Sequence, residues 1–247
     1  MNEGVDEIYV TVFQNHDALI SLLARYGFKV HGYKTTHNGT EIVLLRKIEW
    51  LNSTPLENYP LINTKIGDKY LLALYPKWHT KLLPDSKLIS EGPDIICDTS
   101  HANSIRKIYV AASDGASNLK SGDMLVIYRT GDNQGPAFYR AVATSICVVE
   151  DVRRVTTFNS ERDFIEYCEP FSVFTGDELS NFYKTKRYPY IIKFTYNISL
   201  PKRVTRKVLI ERAGIDPDLQ WSCIPLTDKQ FQTILIEGKA NARFIVN

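Results

Sequence analysis

Lysine and arginine gather in LPKRVTRKVLIER, residues 200–212, as Lys202, Arg203, Arg206, Lys207 and Arg212. Four of these crowd the start of a short helix read from the stretch, the end where the helix dipole disfavours cations. A sequence serving stability alone would put acids there. Cations so placed can grip phosphates, which supply the sequence-independent part of nucleic-acid affinity. Lys184, Lys186 and Arg187 in YKTKR can extend the patch. A solvated basic face is the alternative reading of the same run.

Other chemistries find little support. The histidines His16, His31, His37, His79 and His101 show no metal spacing of the HxxxH kind. His79 stands beside Trp78 and reads as a packed or solvent-facing ring, because no partner nucleophile is evident. Cys97, Cys147, Cys168 and Cys223 are far apart with no CxxC pair, which suggests buried free thiols rather than zinc or a disulfide framework. No Ser/His/Asp set or phosphate loop can be assembled, so no catalytic residue, metal or cofactor is expected. Thirty basic and 28 acidic residues leave a net charge of +2, so an electrostatic partner must be sought in local clusters. No apolar run reaches membrane-spanning length, and the acidic MNEGVDEIYV is unlike a signal peptide; a cytoplasmic protein is expected.

The elements that must position these residues follow from period and punctuation. EIYVTVF alternates Ile8, Val10 and Val12 against Tyr9, Thr11 and Phe13, the period of a strand. NHDALISLLARYGF reads as a helix that Asn15 can cap, with Asp17 in its first turn and Gly27 at a left-handed stop. Two strands then flank Asn38-Gly39, a hairpin signal, so residues 8–48 read β-α-β-β. Residues 51–105, with five prolines and the apolar run KYLLALY, read as an ordered connector. Beyond residue 105, KIYVAA, MLVIYRT and YPYIIKFTYNI read as strands, and AFYRAVATSICVVEDV as a long strand or bent pair. Capping boxes at Ser160/Asp163, Thr175/Glu178 and Thr227/Gln230 start helices, the last with a Leu226–Phe231 staple. Thr205 caps, and Gly214 ends, the helix of the basic segment.

The stretch ALISLLARYGFKVHGY…NGTEIVLLRK resembles the C-terminal portion of GNAT-type N-acetyltransferases, where a strand precedes a helix, the phrase YGF and a closing strand pair. That resemblance covers about a sixth of the chain and implies a remnant, residues 1–50. The family's Gly-rich turn, which seats the acetyl-CoA pyrophosphate on helix-terminal amides, has no counterpart before Tyr26. Tyr26 sits where the family often has a general acid, and a packed aromatic is its alternative. Acetyl transfer by this chain alone is not expected. The rival enzyme reading makes it part of an acetyltransferase whose acetyl-CoA half lies on another chain.

RKIYVAASDG, LKSGDMLVIYRT, AVATSICVVEDV and QWSCIPLTDKQF resemble the PUA-like superfamily, which includes PUA, ASCH, EVE and YTH domains. The resemblance implies an α+β protein in which residues 106–247 form a PUA-like β-barrel with short helices. It also implies nucleic-acid binding, DNA or RNA, with a modified or extruded base read by the barrel. Related domains enclose a base between aromatic rings. Here Trp221 beside Ser222 is the candidate wall, and Ser113 and Asp114 are candidates for the base edge. Core packing of Trp221 and turn formation by Ser113-Asp114 are the alternatives. A third reading is a pure interaction protein. The strand EIYVTVF would expose an apolar edge that proteins seldom leave open. KYLLALY, a separate subunit or a second copy can cover it, and a homodimer through the N-terminal unit is the economical choice.

Overall fold

The computed structural model of the chain describes residues 5–51, 53–86, 88 and 104–246; Cys97 and His101 lie outside them. The N-terminal elements come in the expected order: β1 (Glu7–Phe13), α1 (Asp17–Arg25), β2 (Lys29–Thr36) and β3 (Gly39–Lys47). They make an antiparallel sheet of order β1-β3-β2. The hairpin turns at His37-Asn38, one residue before the expected Asn38-Gly39, with Gly39 (φ +124°) opening β3 opposite Thr36; Gly27 (φ +81°) stops the helix. Asn15 does not cap α1; His16 holds that place without a side-chain cap bond. The unit is tied down through Arg46, which is 6% exposed and donates to the carbonyls of Glu57 (2.9 Å) and Tyr59.

After α2 (Pro55–Asn58) and the short β4 (Ile62–Asn63), KYLLAL is not connector at all. It is β5 (Lys69–Leu74), an inner strand of the second sheet. Its run of apolar residues is covered on both faces, which is why it shows no period of two. α3 (Pro76–Leu82) follows. The sheet is completed by β6 (Arg106–Ala111), β7 (Met124–Arg129), β8 (Val142–Arg154), β9 (Tyr190–Thr205) and β10 (Cys223–Leu226), in the order β10-β5-β7-β8-β9-β6. It therefore draws on residues from both sides of the expected 105/106 boundary. β8 is one strand of 13 residues bent by three register shifts against β9. It begins later than expected, because AFYR forms a helical turn, α4 (Ala137–Arg140), pinned by Arg140 on Asp132 (2.6 and 2.5 Å).

The expected barrel is not closed among the described residues. β6 and β10 are the two edges and exchange no ladder. A 3-10 turn, Asp114–Asn118, bridges them instead. Gly115 comes so near β10 that a Cβ there would lie 2.0 Å from the Cys223 carbonyl oxygen.

Each face of the sheet carries a core. Leu72, Leu74, Leu125, Ile127 and Phe194 look one way, under α5 (Glu161–Cys168) and α6 (Gly176–Thr185). Leu71, Met124, Val126 and Tyr128 look the other way, under α7 (Arg206–Glu211) and α8 (Asp228–Glu237). Thr175/Glu178 and Thr227/Gln230 form both halves of their capping boxes, while Ser160 caps α5 by accepting from the Asp163 amide. β11 (Ile245–Val246) pairs with β4.

Candidate nucleic-acid interface

Where the two sheet edges approach, a cleft of about 700 Å³ opens, within the range of about 300–1,000 Å³ usual for small-ligand sites. Its walls come from the end of β5, the residues after β6, and the segment entering β10. Ser113, Asp114, Trp221 and Ser222 all line it. Ser113 Oγ and Ser222 Oγ lie 2.9 Å apart and join the two edges, while Asp114, exposed, opens the bridging turn. The turn-forming and the cleft-lining readings of Ser113-Asp114 thus hold together.

Trp221 is a core ring whose border reaches the cleft. It is 8% exposed, donates from Nε1 to the Asp216 carbonyl (2.9 Å) and packs on Tyr128 at 5.2 Å. The Arg206 guanidinium lies 4.1 Å over it. The same arginine donates to the Pro217 carbonyl at 3.1 Å. Burial raises the Tyr128 phenol above its ordinary range, with the Arg206 hydrogen bond pulling the other way.

The open aromatic surface belongs to residues the sequence reading passed over. Tyr75, 60% exposed, stands before α3 without a side-chain cap bond, and half-buried Tyr188, packed on Phe182, precedes β9; both line the cleft beside buried Tyr109. Burial, together with the neighbouring Tyr75 and Tyr188 phenols, pushes Tyr109 well above the ordinary phenol range, so it stays a neutral donor. Pro76 directly after an apolar run marks where β5 must end, and that placed Tyr75 at a sheet end.

The basic residues divide. Lys202 and Arg203 fall on β9 rather than on the helix; only Arg206 and Lys207 stand in the first turn of α7, capped by Thr205. Lys202 pairs with Glu237 at 3.5 Å, and Arg212 holds the same carboxylate at 2.6 Å. Arg203 turns inward to carbonyls of Leu200, Thr144 and Asp85. Lys207 lies 4.0 Å from Glu211, and Lys184 lies 3.5 Å from Glu161. Lys186, the left-handed residue after α6, and Arg187 are exposed and lead directly into Tyr188. None of these cations lines the cleft: Arg206 reaches its wall through Trp221, and Lys186 and Arg187 stand next to its Tyr188 in the chain.

The histidine, cysteines and tyrosine singled out elsewhere in the sequence are packed. His79 is fully buried with Nε2 2.8 Å from Thr144 Oγ1, and burial pushes it down to about 3. Cys147, Cys168 and Cys223 are free and buried; burial pushes the last two up to about 12. Tyr26 packs edge-on to Tyr59 at 6.3 Å, and burial raises its phenol. Among the described residues no His/Cys/Asp/Glu group is arranged to hold a metal, and no helix is long and apolar enough to cross a membrane.

No protein-family model matches the chain, and no curated protein matches it in sequence. Among solved structures, an ASCH protein from Zymomonas mobilis is similar at a TM-score of 0.40 and 12% identity, over 68% of this chain and 94% of that one. A single-substitution variant of it gives 0.42 and 11%, over 71% and 100%. The N-terminal domain of Thermococcus gammatolerans McrB bound to m5C DNA gives 0.39 and 9%, over 70% and 98%. At these scores none of the likenesses fixes the fold.

Proposed function

We propose that the chain is a nucleic-acid-binding protein whose cleft receives an unstacked base. One observation carries the reading: Ser113, Asp114 and Ser222 meet Tyr75 and Tyr188 around a single cleft, with Arg206 stacked on the Trp221 that backs it. An exposed ring offers a stacking face to any base, while the hydroxyls and the carboxylate offer hydrogen-bonding groups to its edge. Cations beside the cleft supply the phosphate attraction that positions a strand. The segment resemblance to PUA-like domains supports the same reading. The β-α-β-β order of residues 7–47 supports kinship with the C-terminal part of acetyltransferases, and the cleft lies in the other sheet.

The test is fluorescence anisotropy with labelled single- and double-stranded oligonucleotides. Tyr75→Ala is expected to weaken binding about 5- to 150-fold, the loss of one base–aromatic stack. The ring is mostly exposed, so the fold is spared. Absence of binding by the unaltered protein, or an unchanged affinity in Tyr75→Ala, would count against the reading.

A further inference from the structure

Of the twelve exposed large hydrophobic residues among those described, seven lie between Val5 and Tyr33. The apolar surface left to water is thus concentrated on the N-terminal unit. Its helix α1, nine residues long, has no buried residue. A helix this short needs tertiary packing to persist.

The two edges of the small sheet are built differently. β2 carries Lys29 and Lys34 and a register shift between Val30 and Gly32, the devices that keep an edge from pairing. β1 has neither a lysine nor a register shift, and its one charge is the terminal Glu7. From Ile8 to Phe13 it holds no charge, proline or glycine, and its register with β3 is unbroken. Among the described residues β1 pairs with β3 alone, and KYLLAL, a cover the sequence offered, is an inner strand of the other sheet.

We propose that β1 is the interface of a homodimer, pairing antiparallel with β1 of a second copy about a two-fold axis at Val10. The sequence is self-complementary about that point. Ile8 meets Val12 of the second copy, Val10 meets Val10, and Tyr9 meets Thr11, so β-branched side chains share one face of a continuous six-stranded sheet. Charge selects the direction. A parallel in-register pairing would set Glu7 against Glu7, whereas the antiparallel one sets it opposite Phe13 and places the acids at far ends. The guarded β2 then forms both outer edges of the joined sheet.

Sedimentation equilibrium of the full chain at a concentration of order 10⁻⁵ M, where a specific interface persists, tests this with two paired variants. Unaltered protein is expected at twice the 28.2 kDa of one chain. Tyr9→Lys/Thr11→Lys is expected at the single mass, since lysine then opposes lysine. Tyr9 is 72% exposed and Thr11 is exposed, so each chain keeps its fold. Tyr9→Glu/Thr11→Lys is expected to return to the double mass, because opposite charges then meet across the axis. A monomeric unaltered protein, a dimer indifferent to the lysine pair, or a failure of the charge swap to restore it would each overturn the proposal.

Discussion

Gly115→Ala probes how the cleft is made. A Cβ at this position would lie 2.0 Å from the Cys223 carbonyl oxygen and 3.1 Å from its carbon, both backbone atoms of an edge strand. Ordinary contact begins at 3.4 Å, so the turn or β10 must retreat by more than an ångström. Neither is free to do so. The turn is fastened by Ser113 on Ser222, and β10 by its ladder to β5. Forcing extra volume into such a site costs about 1–3 kcal/mol, and a rigid backbone neighbour puts this case at the upper end. For a chain of this size about 3 kcal/mol lowers Tm by roughly 6–12 °C. Gly176→Ala is the internal control, because nothing lies within 4 Å of its Cβ and it opens a surface helix. Its effect should stay within about 0.5 kcal/mol. Thermal melts of the two variants decide the matter. Equal Tm values would mean that the bridging turn does not sit against β10 and that the cleft is not shaped this way.

Three further outcomes follow from the same contacts. His79, buried and pushed down from 6.5 to about 3, keeps its ring neutral while the unfolded chain takes up a proton below about 6.5. Its contribution is whole above that pH and is lost as pH falls toward about 3. At pH 4.5 the loss is about 3 kcal/mol, read by urea titration, and a His79 ring titrating near pH 6 by NMR would contradict it. Thr227→Ala removes one half of a capping box in which Gln230 N lies 3.2 Å from the hydroxyl. It should lower stability by about 1 kcal/mol in the same titration. Arg46→Ala frees the carbonyls of Glu57 and Tyr59 and should speed limited proteolysis within residues 5–51, while leaving the larger sheet resistant.

What the sequence disclosed was local. Asn38-Gly39 and the threonine caps act within four residues of themselves, so the hairpin and the starts of α6, α7 and α8 could be read directly. Asn15 was misplaced by one residue because capping residues of equal standing, Asn15 and Asp17, flank His16. β5 was hidden because a strand buried on both faces has no polar alternation to betray it. AFYR reads as strand by its aromatics, but Pro136 before it and the Arg140–Asp132 pair wind it into a turn. The cleft depends on pairings across more than a hundred residues, such as Ser113 with Ser222. Its members could be nominated one at a time from chemistry, yet Tyr75 and Tyr188 had no local signal beyond the strand ends they occupy. The basic run was legible as charge and illegible as surface. Whether Arg203 points to carbonyls or to solvent is decided by β9, which the run itself does not specify.

A strand of nucleic acid lying across the cleft would be held by cations such as Lys186 and Arg187, next to Tyr188 in the chain. The direct test is the affinity of the unaltered protein for a mixed-sequence oligonucleotide measured from about 50 to about 200 mM salt, beside Lys186→Glu/Arg187→Glu. Binding is expected to weaken steeply with salt, with a log–log slope lower by about one for each phosphate contact the variant loses. No retention of oligonucleotide at the lowest salt, or a slope untouched by the charge reversal, would contradict it.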